Sequence, residues 1–153
     1  MNRRELLTSV TALAGAALVS EAMAQSGQQI THVDTKTNGP LLQSRVVKLE
    51  SLQPEGAAPG AKAYVHFNGP TKQLEALSSG LVTLEPGAQP HPPHQHPEEE
   101  FMLVTEGTGE IECDGVTTKV GPGSMMYCAG GKYHAIVNTG TTPMLFYYYK
   151  WLA

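Results

Sequence analysis

The chain has little of what marks several common functions. Only two cysteines and one tryptophan occur in 153 residues, aromatic side chains make up 7%, and charged ones 16%. Cys113 and Cys128 stand far apart, so there is no CxxC pair to build a redox motif or a zinc cluster. Lys and Arg are few and nowhere clustered, ten against fourteen Asp and Glu for a net charge of −4. That balance argues against nucleic acid and anionic membrane as partners. The sixteen glycines form no nucleotide loop. Gly107-Thr108-Gly109 has no helix signal after it, and Gly121-Pro122-Gly123 reads as a chain reversal. The most apolar stretch, Leu6 to Val19, contains Thr8, Ser9, Thr11 and Gly15. It is too short and too polar for a hydrocarbon layer about 30 Å thick.

That stretch reads instead as the core of a secretory signal peptide over residues 1–24. Arg3-Arg4 precede it, and Ala22-Met23-Ala24 supplies the small residues of a cleavage site. Adjacent arginines before a mildly hydrophobic core give it a twin-arginine character, with ordinary Sec export as the alternative. The expected location is periplasmic or secreted. Removing residues 1–24 from 153 leaves 129, enough for one domain, and takes away two basic and two acidic side chains, so the charge stays at −4. In an oxidising compartment Cys113 and Cys128 could pair, but their spacing leaves a disulfide and two separate thiols equally open.

Residues 25–42 are polar and rich in Thr, Gln, Asn and Gly, which predicts a flexible arm or linker before a single domain over 43–153. That domain reads as all-β. Short runs rich in Val, Ile, Tyr and Met alternate with Pro, Gly and Asn, predicting strands over 45–50, 63–67, 81–85, 100–105, 109–113, 116–120, 124–128, 134–138 and 144–151. Asp114-Gly115 marks a tight hairpin. Only 71–79 looks briefly helical, through the spacing of Leu74 and Leu77. Residues 101–104 and 144–146 are apolar on both faces, where a strand with one wet face would alternate. A covering surface is therefore expected, either a second copy in a homodimer or the arm before Leu42.

The chemistry concentrates in two segments. In the first, Pro90 to Glu100, residues two apart on an extended chain project together, so His94, His96 and, in phase with them, Glu100 converge. Glu98 and Glu99 compete with Glu100 for the carboxylate role, and His91 reads as a mouth residue. The second segment supplies His134 after the loop 129–133. Three imidazoles and a carboxylate suit one divalent ion and leave one or two positions open.

Together these residues resemble the cupin family. Its first motif is matched by Gly87, His94, His96, Glu100 and Gly107, and its second by Gly123, Gly131, His134 and Asn138. The chain departs from the pattern by one extra residue between Gly87 and His94, by Ala129 where proline is usual, and by Ser124 where aspartate is common. These departures bear on loop geometry, not on the ligand set. The resemblance covers about 81–151 and implies an all-β, jelly-roll-like cupin barrel of one domain, with one divalent ion in its mouth held by His94, His96, Glu100 and His134.

Manganese, iron or nickel is expected, with zinc or copper as alternatives. Affinity alone favours the later metals, whereas twin-arginine export would let the site fill inside the cell before copper is met. Similarity to quercetinase-like cupins suggests a dioxygenase-type reaction in which Glu100 serves as base. Within the motifs only Lys132 is basic, while Met102, Met125, Met126, Tyr127, Tyr133 and Tyr147 are apolar or aromatic. A small neutral or aromatic substrate is expected rather than a sugar phosphate. A metal-assisted binding protein without turnover, or an isomerase or lyase, is the alternative.

Overall fold

The structure is a computed structural model that describes residues 35–55 and 58–153. The expected signal peptide and residues 25–34 of the arm lie outside the described residues. Eight strands follow in chain order: β1 (Ala61–Gly69), β2 (Ala76–Leu84), β3 (Glu99–Glu106), β4 (Gly109–Cys113), β5 (Val116–Val120), β6 (Met125–Cys128), β7 (His134–Val137) and β8 (Met144–Leu152). They form an antiparallel five-stranded sheet, β1-β2-β8-β3-β6, and a three-stranded sheet, β5-β4-β7. No described helix is long and apolar enough to cross a membrane.

The alternation of burial along β8 fixes which face is inside. Met144, Phe146, Tyr148 and Lys150 are buried, while Leu145, Tyr147, Tyr149 and Trp151 face outward. Met144, Phe146 and Tyr148 pack with Val82, Leu84, Met102, Val104, Ile111 and Ile136 into one core between the sheets. The β4–β5 turn has positive φ at both Asp114 (50°) and Gly115 (81°), the conformation that matches strand twist in a two-residue hairpin.

Two expected elements are absent. Residues 45–48 join no sheet and lead, through the extended Lys48, into a 3₁₀ turn, Leu49–Ser51, with Val46 90% exposed. Without an apolar face to bury, this segment gains nothing from strand pairing. The helical turn expected over 71–79 is instead a tight turn followed by β2. The Thr71 hydroxyl accepts hydrogen bonds from the backbone N–H groups of Gln73 and Leu74, and Leu77 pairs with Gly69 and Trp151 on either side. A single helical turn cannot compete with a strand bonded along both edges.

The described part of the arm lies against β1. Backbone N–H groups of Lys36 and Leu42 donate to the Asn68 side-chain oxygen and the Pro70 carbonyl. The outward face of the larger sheet carries a row of aromatic rings elsewhere, with Phe101 5.6 Å from Trp151 and 5.3 Å from Tyr127 between centroids.

Candidate metal centre

His94, His96 and His134 converge, with one potential ligand atom from each lying within 4.8 Å of the others. They come from different kinds of chain. His134 opens β7 in the smaller sheet and Glu100 lies in β3 of the larger one, whereas His94 and His96 sit on the loop before β3 rather than on a strand. The phase argument of the sequence therefore holds for Glu100 on β3 but not for the two histidines.

What positions the histidines is backbone pairing between the two ligand segments. His94 N–H donates to the His134 carbonyl (3.1 Å) and His134 N–H returns the bond (2.9 Å). Gly131 N–H donates to the His96 carbonyl at 2.7 Å. Gly131 has φ of +74°, which glycine adopts without strain, and a side chain on Gly130 would collide with the Pro97 carbonyl. The glycine pair thus lets the two loops close on each other.

Glu100, 5% exposed, places Oε2 3.0 Å from both His96 Nε2 and His134 Nε2. Glu99 points outward and accepts from the Tyr127 hydroxyl (2.9 Å), which removes it from the ligand set. Glu98 stands behind the site: His96 Nδ1 lies 3.1 Å from its backbone oxygen and 3.2 Å from its carboxylate. His134 Nδ1 donates likewise to the Lys132 carbonyl at 3.1 Å. His91 stacks edgewise on His94, with centroids 3.9 Å apart, at the outer side of the cluster.

These bonds test whether the site fits a metal. With both Nδ1–H groups donating outward, each Nε2 turns a lone pair toward a carboxylate oxygen. A positive charge must lie between them, either a second proton on the imidazole or a metal ion. Ligand atoms about 2.1 Å from a shared ion and at right angles stand roughly 3.0 Å apart, which matches the observed separations. The outward Nδ1 bonds are also the second-layer contacts that orient metal-binding imidazoles. The residues fit one divalent ion.

Electrostatics agree. Burial opposes the Glu100 charge, but hydrogen bonds from His134 and His96 outweigh it and hold the carboxyl down at about 2. Burial lowers His134, yet Glu100 reverses this and leaves it raised. Cys128 is different: burial and the neighbouring Cys113 thiol push it up to about 12. It is a neutral thiol 3.5 Å from His134 Nδ1, not a thiolate ligand or nucleophile, and both cysteines are free.

The walls differ from the sequence expectation. Met102 and Met126 face the interior, but Met125, Tyr127 and Tyr133 are more than half exposed and Tyr147 points outward. The inward residues beside Glu100 are instead Lys150, 3% exposed, and beyond it Ser78 and Tyr148, whose hydroxyls lie 3.4 Å apart. Counting cations only within the two motifs missed Lys150. The available signal was its parity, because a lysine in phase with Met144, Phe146 and Tyr148 on an apolar strand has to face the core.

Comparison with known proteins agrees with this architecture. The family model described as Cupin domain matches residues 80–149. No curated protein matches the chain. Among solved structures, an RmlC-like cupin from Shewanella frigidimarina is similar at 20% identity and a TM-score of 0.61, over 72% of this chain and 93% of that one. A sugar phosphate isomerase of the cupin superfamily from Silicibacter pomeroyi is similar at 22% identity and a TM-score of 0.60, over 71% and 76%. A predicted oxalate decarboxylase from Thermotoga maritima is similar at 21% and 0.54, over 71% of this chain and all of that one. The matched segment, the two sheets and these neighbours agree on one architecture, and the fold of this chain is the cupin β-barrel.

Proposed function

We propose that this is an exported, metal-dependent enzyme of dioxygenase type acting on a small neutral or aromatic substrate. The observation that carries the reading is Glu100, whose single oxygen faces two imidazole nitrogens inside the barrel mouth at 3.0 Å. His94, His96, Glu100 and His134 would hold one ion, with manganese, iron or nickel favoured over zinc or copper. A bound divalent ion supplies Lewis acidity and a place where substrate and dioxygen meet. The chain's own part is to orient and to move a proton. His96 and His134 are fixed by their Nδ1 bonds, and Glu100, on detaching from the ion, would accept the proton of a substrate hydroxyl. Burial keeps bulk water from competing for that carboxylate.

The proposed working form is a homodimer. Met125, 61% exposed, and Tyr127, 51% exposed, continue the outward aromatic row of Phe101 and Trp151, a surface suited to a second copy. The described arm bonds to Asn68 of β1 and to Pro70 just after it.

Elemental analysis of mature protein from its native compartment, with oxygen uptake measured on catechol- and flavonol-like compounds, tests the reading. One manganese, iron or nickel ion per chain with uptake is expected. Zinc without uptake would move the protein to lyase, isomerase or binding roles, and no metal would overturn the site.

A further inference from the structure

We infer that Cys113 and Cys128 form an oxidation site, at which a hydroperoxide converts the two thiols into a disulfide that fastens the smaller sheet to the larger one beside His134. The consequence drawn for the metal rests on the metal-centre reading above; the disulfide itself does not.

The first support is position. Cys113 ends β4 and Cys128 ends β6, strands of different sheets. Each is the register partner of a proposed ligand, Cys113 of His134 on β7 and Cys128 of Glu100 on β3. Glu100 Oε2 and His134 Nε2 meet at 3.0 Å, so the two cysteines share the seam between the sheets that those ligands share. The Cys113 thiol is a direct neighbour of the Cys128 thiol and donates at 3.7 Å to the carbonyl of Tyr127, the residue before Cys128. A bond between them joins segments already in contact.

The second support is an asymmetry that suits peroxide chemistry. Cys113 is half-buried, whereas Cys128 is 1% exposed. Hydrogen peroxide therefore meets Cys113 first. The Cys113 sulfur takes one oxygen and becomes a sulfenic acid, while the peroxide is reduced to water. The Cys128 sulfur then bonds to the Cys113 sulfur, and the Cys128 proton leaves with the sulfenic hydroxyl as a second water. Cys128 requires no reactivity toward solvent, because the oxidised sulfur stands beside it.

The bond would act on two features of the fold. The Cys128 thiol donates at 3.8 Å to the Lys132 carbonyl, which also accepts from His134 Nδ1 at 3.1 Å. A disulfide has no S–H, so oxidation leaves that carbonyl to His134, and a firmer Nδ1 bond makes Nε2 the better ligand. The bond also closes a loop from 113 to 128 that contains β5 and leads into β6, each at the edge of its sheet with one partner strand.

The competing role is that of two thiols that only fill space at the seam. The test reduces the mature protein, exposes it to hydrogen peroxide and follows intact mass, free thiols, peptide maps and thermal unfolding. Expected are the loss of two hydrogens, a peptide linking Cys113 to Cys128, and a thermal midpoint raised by roughly 5–10 °C. Dithiothreitol should reverse all three. Cys128→Ser should stop at a sulfenic acid on Cys113, trapped by dimedone, and Cys113→Ser should leave Cys128 unreacted in the folded protein. Thiols that persist, oxygen added without a link, or a link between two chains would overturn the inference. If Cys128→Ser fails to fold, the unsubstituted protein and Cys113→Ser decide. Manganese affinity, read by competition with a chelating dye, should be about two- to fivefold tighter after oxidation. Equal affinities with the disulfide formed would overturn the coupling to His134, whereas no metal in either form sinks the metal centre and leaves the disulfide standing.

Discussion

Glu100, His96 and His134 share one small volume, and their protons or an ion must settle the charge among them. In the metal-free protein the sign follows from each shift. Glu100 is lowered from 4.5 to about 2, so its contribution is present above pH 4.5 and lost as pH falls through about 2. His134 is raised from 6.5, so its contribution is present below pH 6.5 and lost as pH rises through its higher folded value. Metal-free protein should therefore be most stable between pH 4.5 and 6.5. Loaded protein should peak at higher pH, because the ion replaces those protons. Thermal midpoints across pH with and without a chelator would show it, and coincident curves would refute it. His96→Ala should abolish stoichiometric metal while preserving β circular dichroism. Glu98→Gln, which removes the carboxylate charge behind His96 and beside Lys150, should weaken metal by on the order of tenfold, read by competition with a chelating dye.

At the level of elements, β8 decides the architecture, because the last strand inserts between β2 and β3 and carries the inward row past the site. Gly80 makes room for it. A Cβ there would stand 2.7 Å from Tyr148 Cε1 and collide with the Tyr64 carbonyl, which is backbone and cannot turn aside. Gly80→Ala should cost about 1–3 kcal/mol in urea unfolding, and a neutral result would mean that the β1 bulge relaxes. Asn138 is a second fixture. Its side-chain amide donates to the Leu84 and Thr142 carbonyls and its oxygen accepts from Gly140 N–H, each at 2.9 Å. Asn138→Ala should cost about 2–4 kcal/mol for leaving buried partners unmet. These elements also show what could be read in advance. The limits of β4 and β5 match the expected ones because Asp114-Gly115 admits only one short turn. The helix at 71–79 was misread because Leu74 and Leu77 fit helical spacing equally well, and what separates the two outcomes is pairing with β1 and β8, distant in sequence. His94, His96 and His134 were legible from spacing; the loop-to-loop backbone bonds that place them were not, since such bonds leave no trace in side-chain type.

For the whole molecule, the outward aromatic row predicts assembly. Light scattering on mature protein should give twice the chain mass, and Tyr127→Asp combined with Met125→Lys should halve it without loss of metal. A monomer in the unsubstituted protein would leave the row without its proposed purpose. The mutual backbone bonds of His94 and His134 have a consequence for the lifetime of the chain. They close a segment running from residue 94 to residue 134, which contains four whole strands, β3 to β6, and the first residue of β7. An ion gripping both histidines would lock that segment shut, and an ion that binds only the folded chain stabilises it in proportion to the logarithm of its free concentration. Protease resistance would then track metal supply, so the protein would persist where its metal is plentiful and be cleared where it is scarce.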